Sequence, residues 1–518
     1  MYKRQPAPGS SSATSGNTLC CAGHWSPRSP PPATRSSTPP AEPCSPLPLH
    51  PAAPFRFPFP LSPTPPPGDL AMPEVAPSPA RKAAFAVTAS LALLTTACTG
   101  QSNSGATDDA SKDTTINFWH AWSAPNEVDA VKSLVAGFEK AHPNIHVNIV
   151  GNMTDDKINQ ALRSGGDRAP DVISSFTTNN VGKFCSSGAL VDLNPFFNKS
   201  KIDPETTFPK TMNEYTRFDG NRCTVPLLGD AYGLYYNKTA FKKAGIAGPP
   251  KTWSAFEADA KKLTIPQGDG YKQLGFMPDY HGWESTTEHY FGQFSPTYFD
   301  KNGKSELAKD PAFEKGFTLQ KKLVDELGGF QKLEKFRATL GDEWGPKHPF
   351  HTGQVAMQMD GEWRLGMAGD AKPDFEIGVA PLPVPDEQAS QYGKGYITGT
   401  IAGIAASSHK QNAAWELVKY MTTNTDAVVG FANDIHNVPS TLAALKSPKL
   451  KYDPRFKTFL DIAANPDSTT TPASINGGVY LVTIQQFGYD YESGKVTDLK
   501  AGLKKTAAQI DTDIAQAK

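Results

Sequence analysis

Aromatic rings standing beside carboxylates or amides recur along this chain and are its best candidates for chemistry. Trp119 and Trp122 lie in FWHAW, and Thr177 in SFTTNN. Asp279, Tyr280, Trp283 and Glu284 lie in PDYHGWES, and Asp360, Glu362 and Trp363 in MQMDGEW. An indole or phenol face covers the C–H face of a sugar ring, while carboxylates and amides take its hydroxyls. The carboxylates also allow hydrolysis: a pair among Asp279, Glu284, Asp360 and Glu362 could flank a glycosidic bond, although spacing does not give their separation. The FWHAW tryptophans could fill a core, but they fall where a strand runs into a helix, and binding residues concentrate in such loops. His120 between them reads as a loop histidine rather than a catalyst. GxSxG, HExxH, Walker A, CxxC and metal-spaced clusters are missing. The residues therefore carry no catalytic, cofactor or metal signature, and leave sugar binding and glycoside hydrolysis both open.

The elements that must position these residues alternate. Residues 115–119 have the period of a strand, and Val128, Val131, Leu134, Val135 and Phe138 mark one face of a helix closed by Pro143. Ile145, Val147 and Ile149 form a second strand. Ile158, Leu162 and the loop SGGDRAPD lead to a buried strand at residues 171–173, and a helix with Val181 and Phe184 follows. Strand–helix alternation predicts an α/β, doubly wound parallel sheet with ligands beyond the carboxyl ends of the strands, where Trp119, Trp122 and Thr177 sit. From Asp230 the stretch DAYGLYYNKTAFKKAGIAGPPKTWSAFEADAKKL gives a half-buried strand, a short helix ending at Gly245, an extended Pro249-Pro250 step and a helix through Trp253, Phe256, Ala260 and Leu263. Residues 311–340 read as a helix pair with a solvated lysine face, and Val355, Met357 and Met359 as a strand. The tail is an amphipathic helix with Leu499, Leu503 and Ile510 inward.

Residues 1–71 are rich in Pro, Ser and Ala with no helical or strand period, and cannot bury enough apolar surface to fold. Met72 then opens a positive stretch at Arg81 and Lys82, an apolar run at residues 83–94, and small residues before Cys98, the layout of a secretory signal. Translation is expected to start near Met72, with residues 72–97 removed and 98–113 serving as a flexible tether. The remaining chain is large enough for two lobes, and has neither a basic stripe for nucleic acid nor an apolar run long enough to span a membrane. Cys185 and Cys223 are the cysteines left after Cys98, an even count in an exported domain, and a disulfide between them is expected.

YYNKTAFKKAG and PPKTWSAFEADAKKL resemble a segment of the extracellular solute-binding proteins of ABC transporters, in the sugar-binding group that includes maltose-binding protein. FEKAHPNIHV, APDVISS, GALVDLNPFF, FHTGQVAMQMDGEW, IGVAPLPVP and GKGYITGTIAGIAASSHKQNAAWELVKYMTT carry the same resemblance. It implies an α/β, two-lobed periplasmic-binding-protein fold (type II-like). Each lobe is then a mixed or parallel doubly wound sheet with helices on both faces, joined by three crossovers: lobe 1 from residues 114–227 and 397–437, lobe 2 from 228–396 and 438–518. It puts the stacking tryptophan at Trp363, ligand close to Gly399 and Thr400, another aromatic contact near Tyr480, and Asp230 in the ligand-binding set. TACTG resembles a lipobox, which makes Cys98 the lipid-bearing residue and the outer face of the cell membrane the location. A carbohydrate ligand, ABC permease subunits and a monomeric state follow from the same resemblance. A glycoside hydrolase and a binder of a non-sugar solute are the alternatives.

Overall fold

The computed structural model describes residues 108–278 and 286–518. Cys98 and the candidates Asp279, Tyr280, Trp283 and Glu284 lie outside the described residues.

The strands, in chain order, are β1 (Thr114–Trp119), β2 (Ile145–Val150), β3 (Val172–Ser175), β4 (Val225–Asn237), β5 (Ile265–Gln267), β6 (Gly270–Phe276), β7 (Val355–Gly361), β8 (Ile377–Ala380), β9 (Ile397–Ile404) and β10 (Val438–Pro439). Their main path runs β2-β1-β3-β9-β4-β7-β6-β5, with β8 and β10 each paired to β4. β1 is parallel to β2 and β3, as strand–helix alternation predicts, whereas β9 joins β3 antiparallel. The sheet is therefore mixed, because β9 is a strand returning from the far half of the chain.

β4 holds the two halves together. Residues 225–231 pair antiparallel with β9, and residues 232–236 pair antiparallel with β7, so the partner changes between Ala231 and Tyr232. β8 pairs with its last residues and β10 with Leu228 and Gly229. Ala231, Leu234 and Tyr235 are fully buried, since β4 is covered on both faces and reads as a continuous apolar run rather than an alternation.

Two cores flank this strand. The first gathers Ile116, Phe118, Val131, Val135 and Phe138 around Val172, Ile173 and Ile401, and residues 445–463 also pack against it. The second gathers Phe256, Phe276, Phe313, Phe317, Met357 and Met359 with Tyr480 and Ile484. Each such side chain contributes roughly 1.5–3 kcal/mol by leaving water. The helix Pro125–Ala141 covers the first sheet; its Pro stands in the first turn, and Glu127 accepts from the backbone N–H of Ala124 at 3.2 Å.

Cys185 and Cys223 are bonded, tying the helix Val181–Ser186 to the approach of β4. The tether needs correction at its end. Residues 108–113 belong to the folded body: Asp108 accepts from the backbone N–H groups of Asn412 (2.8 Å) and Ala413 (3.0 Å), and its carbonyl accepts from the Asn412 side chain (2.7 Å). These N–H groups open the helix Gln411–Thr423, whose own Lys410 offers no side-chain cap.

Candidate binding site

The partner change on β4 positions a connected group of polar and aromatic side chains. Asp230 is half-buried just before it. Asn437, leading into β10, donates its amide to Asp230 Oδ1 and to Glu362 Oε1, both at 2.8 Å. Glu362 Oε2 accepts the backbone N–H of Ala231 at 2.9 Å. Glu362 follows the end of β7, so one carboxylate–amide–carboxylate chain binds the ends of three strands. Burial, with the Asp230 charge added, pushes the Glu362 carboxyl well above its usual range.

Trp363 stands next to Glu362 and is half-buried. Its indole lies over Gly361, where a Cβ would come within 2.3 Å of the ring, so that position accommodates the stacked indole only as glycine. Tyr232 meets Trp363 edge-on at 5.6 Å and stacks on His289 at 3.7 Å. Tyr396 joins them, 5.0 Å from His289. On the other side Trp344 lies 6.5 Å from Trp363, tilted by 34°, with the Arg364 guanidinium over its ring at 5.8 Å. The Trp363 indole N–H is buried and makes no hydrogen bond among the described residues, and neither does that of Trp119. A buried donor left in this state costs roughly 1–3 kcal/mol unless an outside acceptor reaches it.

Trp119 ends β1 level with Ile173 on β3, and Thr177 lies just past β3, its N–H donating to Ser175 Oγ at 3.1 Å. Both are half-buried and end neighbouring strands, where strand–helix alternation puts a ligand.

Other expectations are corrected. Trp122 is only 2% exposed, packed edge-on against Phe176 and Phe431, and belongs to the first core. Tyr480 is 1% exposed and its hydroxyl donates to the Pro472 carbonyl at 2.7 Å. Asp360 is fully buried and accepts from Arg364 Nε at 2.6 Å and from the Gly361 N–H, which leaves it closed to a hydroxyl. Gly399 allows close packing of protein on protein: a Cβ there would lie 2.2 Å from the Leu228 carbonyl and 2.6 Å from the Tyr215 hydroxyl. Thr400 beside it is buried between β3 and β4. Asp360 and Glu362, both sealed from solvent, cannot bracket a scissile bond.

Tyr232, Tyr396, His289 and Asn437 did not stand out in the sequence as site residues. Tyr232 had a signal, its position two residues after Asp230 on a strand; for the others the signal is tertiary only.

A family profile for the bacterial extracellular solute-binding proteins matches residues 124–428, more than half of the chain, and the chain belongs to that family. Its members bind solutes and are not enzymes. The maltotriose-binding protein of Pyrococcus abyssi is 25% identical over 343 residues, covering 65% of this chain and 69% of the relative. Two solved structures share the fold: CpMnBP1 with mannotriose bound (TM-score 0.64, 24% identity, 76% of this chain and 99% of that one). The other is the sugar-binding protein MalE of Xanthomonas citri (TM-score 0.65, 22% identity, 78% and 98%). The two-lobed, maltose-binding-type architecture is thereby the architecture of this chain.

Proposed function

We propose that the protein is the substrate-binding lipoprotein of an ABC importer for a sugar or oligosaccharide. The observation that carries this reading is Trp363: a half-buried indole beside Trp344 and Tyr232, with an unspent N–H, at the point where β4 passes between the halves. A sugar ring stacks on the indole faces, and its hydroxyls meet the Trp363 and Trp119 N–H groups and the Asp230 carboxylate. Each stacked ring adds about 1 kcal/mol beyond its buried area. Contacts drawn from both halves favour a closed form, which a membrane permease then recognises. The sugar names of the relative and the solved structures support the ligand class. The signal-like run before Cys98 supports export and a lipid anchor on that residue.

Isothermal titration against maltotriose, mannobiose and a wider sugar panel tests this, with chromatography of the recovered sugar. Binding with intact sugar recovered is the expected result. Cleaved product makes the protein a hydrolase; no binding across the panel moves the ligand outside carbohydrates.

A further inference from the structure

We infer that Gly182 and Gly478 form a closing seam between the two halves, and that their missing side chains set how tightly the protein shuts on its ligand. The inference rests on the clamshell reading above.

The helix Val181–Ser186 gives Val181 and Phe184 to the first core. The helix Val479–Glu492 gives Tyr480, Leu481 and Ile484 to the second. Residues 471–478 lead into that second helix and lie across the start of the first, with Ala473 packed on the first core and Ile475 on the second. The approach is too close for any Cβ. At Gly182 a Cβ would lie 2.1 Å from the Ser474 carbonyl oxygen and 2.4 Å from its carbon. At Gly478 it would lie 2.6 Å from Asn179 Cβ. Thr471 Oγ1 adds a contact to Asn179 Oδ1 at 3.4 Å.

The Ser474 backbone is fixed within its own turn. Its carbonyl accepts from the Gly477 N–H at 3.0 Å, and its hydroxyl accepts from the Gly478 N–H at 2.9 Å. Gly182 itself is helical and has no positive φ, so alanine there suits the local backbone and raises helix propensity. Any loss in Gly182→Ala must therefore come from across the seam. The seam also adjoins Thr177, on the first-half loop that carries a candidate ligand contact.

The test measures the radius of gyration of the full chain by small-angle scattering, with and without saturating maltotriose or mannobiose, together with Kd. Wild type is expected to contract on binding. Gly182→Ala is expected to stay extended and to bind at least tenfold more weakly, with unchanged circular dichroism and ligand-free Tm. Should that variant fail to fold, Gly478→Ala gives the same reading, and adding Asn179→Gly to it should restore contraction. The backbone strain at Gly478 is common to both of these variants, so rescue isolates the contact. Normal contraction and affinity in Gly182→Ala, or failure of Asn179→Gly to rescue, overturns the seam. If wild type binds neither sugar, the sugar reading falls while the seam is judged by the same comparison on whichever solute of a wider panel contracts the wild type; equal contraction of Gly182→Ala overturns it.

Discussion

Asn437 Nδ2 lies 2.8 Å from Glu362 Oε1, and this contact ties the chain entering β10 to the chain leaving β7. The second amide hydrogen goes to Asp230, so the same side chain also holds β4 beside its change of partner. Breaking one arm leaves a buried carboxylate short of a donor, which is costlier than the hydrogen bond itself is worth.

Glu362 makes stability depend on pH. Its folded carboxyl holds a proton more tightly than the ordinary value near 4.5. The contribution to folding is complete below that value and is lost as pH rises through the raised folded value. Thermal melts across pH should show the Tm of wild type declining relative to that of Glu362→Gln as pH rises above about 4.5. Parallel curves would show that the carboxyl does not titrate in this environment.

His120 acts in the opposite direction. It is fully buried, and burial lowers its imidazole from 6.5 to about 4. The folded chain therefore binds the proton less readily, and stability is lost as pH falls from 6.5 through about 4. The loss amounts to about 3 kcal/mol at its full extent. His120→Leu should remove this part of the acid sensitivity in urea titrations at pH 7 and pH 4.

Trp363 and Trp122, both expected from the sequence in the ligand set, should separate in experiment. Trp363→Ala should weaken maltotriose binding at least tenfold, about 1.4 kcal/mol, with little change in ligand-free Tm. Trp122→Ala empties a core position and should cost about 3–5 kcal/mol of stability instead. Calorimetry of both variants, by titration and by melting, checks the assignment.

The bond between Cys185 and Cys223 closes a sequence separation of 38 residues. Reduction, or Cys185→Ser with Cys223→Ser, should lower unfolding stability by roughly 3–4 kcal/mol. Guanidinium titration with and without reductant reads the difference directly.

The elements around the site were legible where pattern is local. Val131, Leu134, Val135 and Phe138 name a helix face by spacing, and all are buried. Pairing was less legible: β4 starts at Val225, ahead of the tyrosine alternation, because a strand covered on both faces loses its period. The site was harder still. Trp122 and Trp119 stand three residues apart in one motif, yet one faces a core and the other ends a strand, and spacing does not tell these apart. Gly399 announced a close approach correctly in kind, but what approaches is the Leu228 carbonyl. His289 and Asn437 reach Tyr232 and Asp230 from distant segments, a juxtaposition with no local signature.

Asp108 bears on how far the body can stray from a bilayer. With Asp108 held to the helix Gln411–Thr423 and residues 110 and 112 to Asn144, the proposed lipid on Cys98 would stand on a leash of ten residues. Fully stretched, that leash reaches at most about 35 Å, less than the breadth of a body this size. The protein so moored would patrol a thin layer just above the lipid, with the Asp108 corner turned inward. Asp108→Ala should lengthen the leash, expose residues 108–113 to trypsin at Lys112, and widen that layer.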